Sequence, residues 1–135
     1  MFKTPLQIEP IGRRKFKQIA PLIYETMAGV VYESPTGRIT DLASTWGIPI
    51  VAAKFDGLVP MAATLHDFLY DGIVSRKEAD SVFYEAMKAE NEWYGVEAVT
   101  DAERYAIWLG VSVGGVFAFR GIEDGYEKPI MSVNA

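Results

Sequence analysis

The sequence predicts an α+β fold, with a small β-rich N-terminal half packed on a three-helix C-terminal half. Two observations carry that expectation. Residues 1–58 are rich in Pro, Gly and β-branched side chains, the texture of short strands and turns. From Val59 the apolar residues recur at helical spacing, behind two capping boxes, Ser75-Arg76-Lys77-Glu78 and Thr100-Asp101-Ala102-Glu103. A chain of 135 residues that is 50% hydrophobic and 23% charged has a globular composition and suits one domain. Its parts read as a β-rich half at 1–58, a helical half at 59–120 and a tail at 121–135.

In chain order, Leu22-Ile23-Tyr24 and Gly29-Val30-Val31-Tyr32 read as short strands, with Ser34-Pro35-Thr36-Gly37 as the turn that follows. Arg38-Ile39-Thr40-Asp41-Leu42 resumes an extended pattern, and Ile48-Pro49-Ile50-Val51 fits either a strand or an apolar loop. Pro60 suits the first position of a helix, and Asp71-Gly72 supplies its stop. Within it Met61, Leu65, Phe68 and Leu69 share one face. In the second helix Ala79, Val82, Phe83, Ala86, Met87 and Glu90 lie along one stripe. The third is apolar on nearly all sides, which predicts a central or covered position.

Thirteen Lys+Arg against eighteen Asp+Glu leave a net charge of −5, which argues against nonspecific binding to a nucleic-acid backbone. The absence of Cys excludes disulfide scaffolds, thiolate zinc sites and a cysteine nucleophile. No apolar run stands behind the N-terminal basic residues, so no secretory signal is legible. The most apolar stretch, Tyr105 to Phe119, falls short of the ~20 residues that span a bilayer. Gly110 and Gly114 within it read as close helix packing.

One His restricts the chemistry sharply. With Leu65 at zero on a helical wheel, His66 lies at about 100°, the margin of the apolar arc, and Asp67 near 200° faces away. With Ala79 at zero, Asp80 also lies near 100°. The short connection around Gly72 favours antiparallel neighbours, so His66 and Asp80 are expected to meet. A carboxylate there would raise the His pKa and fix its tautomer. Such a pair serves a structural cross-link as readily as a catalytic one. Asp67 reads as solvated or bonded to the loop before its helix.

Three blocks occur in order: Thr40-Asp41-Leu42-Ala43-Ser44, Leu65-His66-Asp67-Phe68-Leu69-Tyr70, and Ser75 to Phe83 with Arg76, Ala79 and Asp80 in place. Together they resemble domain-of-unknown-function family 1353 (DUF1353), whose pattern runs T-D-(L/F)-A-S, then H-D-x-L-Y, then S-R-x-x-A-D-x-x-F. The family often has an aromatic before the Thr-Asp block and Pro after its Ser, where this chain has Ile39 and Thr45. The resemblance implies a bacteriophage or prophage origin and singles out Thr40, Asp41, Ser44, His66, Asp67, Tyr70, Arg76 and Asp80.

Several chemistries fit these residue types. A catalytic set would be Asp41, His66 and Asp80. A divalent metal would draw on Asp41, His66 and Asp67, or on Asp80, one imidazole with carboxylates that suits Mn, Mg, Fe or Zn. His-Asp phosphohydrolases and zincins both need further histidines, which the chain lacks. A triad of Ser44, His66 and Asp41 or Asp80 lacks the G-x-S-x-G elbow. His66-Asp67-x-x-Tyr70 is similar to the catalytic helix of phospholipase A2, where the His activates water, the next Asp holds calcium and an Asp on an antiparallel helix orients the His. The glycine-rich calcium loop and cysteines of that enzyme are missing here. The remaining class is a virion component, a tail, neck or tail-tip module acting through contacts with other virion proteins, located in the virion or in the host cytoplasm during assembly. There the Thr40–Asp41–His66–Asp80 set would tie the two halves together, with Trp46, Trp93, Tyr94 and Trp108 available to an interface. That virion module is the function expected, and a small hydrolase using Asp41, His66, Asp67 and Asp80 is the alternative.

Overall fold

A computed structural model of the chain describes residues 1–13, 15–40, 58–114, 122–123 and 126–127. The N-terminal half holds two small antiparallel sheets. In the first, β1 (Ile8–Gly12) pairs with β2 (Lys15–Gln18), and β2 pairs with β5 (Ile39–Thr40). In the second, β3 (Leu22–Glu25) pairs with β4 (Val31–Ser34), and Phe2 bridges to Tyr24 on its outer edge. Gln18 joins the sheets. It is wholly buried, accepts from the Ser34 hydroxyl at 2.6 Å and donates to the Ser34 carbonyl at 3.2 Å. A buried amide must have such partners, so the two hairpins are fixed against each other.

The helical half contains α1 (Pro60–Leu69), α2 (Arg76–Tyr94) and α3 (Asp101–Gly114). Both predicted caps form: Ser75 Oγ accepts from the Glu78 amide at 3.1 Å, and Thr100 and Glu103 complete a capping box by bonding each other's amides at 3.2 and 2.9 Å. Helix α2 ends at Gly95, whose φ of 71° is the left-handed geometry that glycine adopts without strain. Contacts of 66 with 80 and of 61–62 with 90 run α1 antiparallel to α2, and contacts of 76 with 112 and of 84 with 104 do the same for α2 and α3. The core lies between the helices and the β3–β4 hairpin, built from Leu22, Tyr24, Met61, Leu65, Leu69, Phe83, Met87, Ile107 and Val111. This is the α+β architecture expected, with the α2 stripe from Ala79 to Glu90 buried throughout.

Four details differ from expectation. Strands β1 and β2 precede the first strand that the sequence predicts, and in β2 Lys15 and Lys17 alternate with the inward Phe16 and Gln18. Gly29 and Val30 belong to the turn rather than to β4. Among the described residues nothing covers the outer face of α3: Tyr105, Leu109 and Val113 are exposed, while Ile107 and Val111 are buried. The tail contains a paired ribbon, β6 (Ile122–Glu123) with β7 (Tyr126–Glu127). Among the described residues no helix is long and apolar enough to cross a membrane. The expectations for Asp41–Leu42, Ser44, Trp46 and Ile48–Val51 lie outside the described residues.

Candidate functional site

Helix α1 presents His66 and Tyr70 one turn apart, hence on one face, and α2 presents Asp80 opposite them. His66 Nε2 lies 2.7 Å from Asp80 Oδ1, and the Tyr70 hydroxyl donates to the same oxygen at 2.5 Å. Arg76, one turn before Asp80, lies 3.7 Å from its other oxygen and donates to the Ser112 carbonyl at 2.8 Å. A carboxylate thus collects a histidine and a tyrosine from α1, while its neighbouring arginine holds the last turn of α3. The His66 ring packs on Tyr70 and Phe83, with centroids at 4.1 and 4.6 Å.

The short connection does bring His66 and Asp80 together, but not at a core margin. His66 is 0% exposed. That depth reverses the expected electrostatics. Burial disfavours the charged imidazole and lowers the His66 pKa, outweighing the upward pull of Asp80. The Tyr70 hydroxyl is pushed up, by burial first and by Asp80 second.

Asp67 leaves this cluster, as its place on the wheel requires. Its Oδ2 lies 3.1 Å from Arg38 Nη2, and Asp71 lies 3.1 Å from the same nitrogen. Arg38, in the turn before β5, also stacks over Phe68 at 5.5 Å. Asp67 is thus engaged by Arg38 while His66 is engaged by Asp80. Among the described residues no group of three His, Asp or Glu side chains is placed to hold a metal ion, and Asp41 lies outside them. Thr40 is buried at the end of β5. Arg38 and Glu85 both link sheet to helix, and Glu85 accepts from the Tyr24 hydroxyl at 2.7 Å and the Met27 amide at 2.8 Å. The His66–Asp80 pair instead joins helix to helix.

A second buried carboxylate escaped the sequence reading of its role. Glu90 accepts from the Met61 amide and the Ala62 amide, each at 2.9 Å, and so caps α1 from α2. Val59 at the N-cap has no side chain able to do this, and a charged residue inside an apolar stripe was the available signal. Burial pushes its carboxyl up to about 7, against the pull of the two amides.

Alongside the tie, α2 and α3 enclose an open groove of about 630 Å³ lined by Arg76, Lys77, Asp80, Tyr84, Tyr105 and Trp108. Its walls are aromatic, and Arg76, Lys77 and Asp80 stand at one end.

Fold and site define a small α+β protein whose helices are locked by buried carboxylates. A protein-family model described as "Protein of unknown function (DUF1353)" matches residues 16–111, and the chain belongs to that family. No curated protein and no solved structure matches the chain.

Proposed function

We propose that the protein is a virion-associated module of a bacteriophage that works through contacts with other virion proteins. One observation carries the non-catalytic half of this reading: His66 is completely buried between Tyr70 and Phe83 while bonded to Asp80. A general base must reach water or substrate, whereas a pair closed off from solvent specifies packing. Exposed Trp93 and Tyr94 at the end of α2 supply an aromatic surface for such contacts. The test is His66→Asn in the phage genome. The melting temperature should fall, while the protein should still be found in purified particles by mass spectrometry at permissive temperature. A normal melt with collapsed infectivity would overturn this reading.

A second reading, a small hydrolase, is favoured by the bond pattern itself. Asp80 engages Nε2 and is itself steadied by Tyr70, the arrangement of a carboxylate that orients an imidazole. This is the orientation that the likeness to the phospholipase A2 helix implies. Loss of a general base costs ~10²–10⁴-fold in rate. Hydrolysis of phospholipid vesicles abolished by His66→Asn without loss of stability would select it.

A further inference from the structure

Charge stops early in α3. After Arg104 the helix carries no ionisable group but the Tyr105 phenol, and Ala102, Tyr105, Ala106, Leu109 and Val113 recur at three- and four-residue steps along one face. That face looks outward: Tyr105 is 53%, Leu109 45% and Val113 66% exposed. It continues into the aromatic wall of the α2–α3 groove. A stripe of this kind on a surface marks a contact.

The ends of the stripe say what covers it. At the start of α3 stand Asp101 and Glu103, two carboxylates against one arginine: the Asp101 side chain is exposed and lies 3.0 Å from its own Arg104. At the other end stand Arg76, bonded to the Ser112 carbonyl and 3.7 Å from Asp80, and the exposed Lys77, which carries the positive charge there. We infer that this face docks a second copy of the same chain, with the two α3 helices antiparallel across a two-fold axis. With Tyr105 set against Leu109 of the second copy, Asp101 falls opposite the other Val113, one residue from the other Ser112. Each acidic start then meets the other copy's basic end, and symmetry makes the match twice. The helix dipoles oppose each other favourably, and Ala102 and Ala106 let the backbones approach. A parallel pairing would instead set Asp101 against Asp101.

Size limits the strength. A standard interface buries ~800 Å² per partner, and a single helix stripe ~21 Å long supplies only part of that. The groove walls and charged ends must contribute the rest, so dissociation falls in the micromolar range. Self-pairing holds whether or not the protein enters a virion, so a negative result here leaves the virion proposal standing.

Sedimentation of the intact chain from about 1 to about 300 µM measures it. The parent should pass from monomer to dimer. Leu109→Asp should weaken pairing at least ~10-fold while melting as the parent does, because it buries a charge in the seam of an otherwise exposed position. Lys77→Glu and Asp101→Lys should each weaken pairing, and the two together in one chain should restore it. A monomer at every concentration would overturn the inference and leave the face to another occupant. So would a dimer indifferent to Leu109→Asp. A dimer that Leu109→Asp breaks but the charge exchange does not restore would overturn the antiparallel arrangement.

Discussion

Replacing Glu90 by Gln should remove a fall in stability that the parent protein suffers as pH rises from about 4.5 to about 7. The carboxyl is 2% exposed, and burial raises its pKa from 4.5 to about 7. Between those values the folded state keeps a proton that the unfolded chain has released. The stabilisation is therefore complete below about 4.5, is lost as pH climbs through about 7, and is level beyond. A difference of 7 − 4.5 is worth about 3 kcal/mol. Gln cannot ionise, and because Met61 and Ala62 bond separate oxygens its NH2 faces one of the two amides, a cost that does not vary with pH. Relative to the parent, Glu90→Gln should accordingly improve by about 3 kcal/mol between pH 4.5 and pH 8. His66 acts in the opposite sense: with its pKa lowered by burial, the unfolded chain takes up the proton first, and stability is lost as pH falls below the ordinary value of 6.5. That loss is common to both proteins and cancels in their difference. Urea unfolding across this pH range, parent against variant, measures it. Parallel stability curves would refute the argument, because they would mean that Glu90 ionises in the fold as easily as in the open chain.

Two further substitutions probe the tie and the core around it. Asp80→Ala strips the acceptor from two buried donors, His66 Nε2 and the Tyr70 hydroxyl, and should cost ~3–5 kcal/mol in reversible denaturation, with Asp80→Asn milder. A loss under about 1 kcal/mol would mean that the pair contributes nothing to the fold. Phe83→Ala removes a fully buried ring that packs on His66 and should cost ~3–5 kcal/mol, and a native-like denaturation midpoint would show that α2 does not bury its stripe against α1.

Helices were the legible part of this sequence because their signals are local. Ser75 with Glu78 and Thr100 with Glu103 announce two starts within four residues each, and the Ala79–Glu90 stripe is one face of one element. Strands β1 and β2 were not legible as elements. Their pairing is set by register with β5, and the signal within them is only the alternation of Lys15 and Lys17 with Phe16 and Gln18. The exposure of α3 was misread for a related reason. An all-round apolar composition says that a helix wants cover, and it is silent on whether the cover comes from the same chain.

The site divides in the same way. That His66 and Asp80 meet follows from two helical wheels and a short turn. How deep they lie depends on Tyr70 and Phe83 closing over the ring, and that depth, not the partner, decides the direction of the His66 pKa. Glu90 shows what depth is for. The seam between α1 and α2 has polar anchors at both ends, 66 with 80 and 61–62 with 90, separated by about one turn of α1 and nearly three of α2. Sliding α1 by a single turn, ~5.4 Å, would strand a carboxylate at each end without its donors. An apolar seam would tolerate such a slip far better, since one aliphatic side chain replaces another at small cost. The buried carboxylates thus act on the alternatives to the native register more than on its absolute stability, and they hold the α2–α3 face, with Arg76 attached to Ser112, in one shape for whatever binds there.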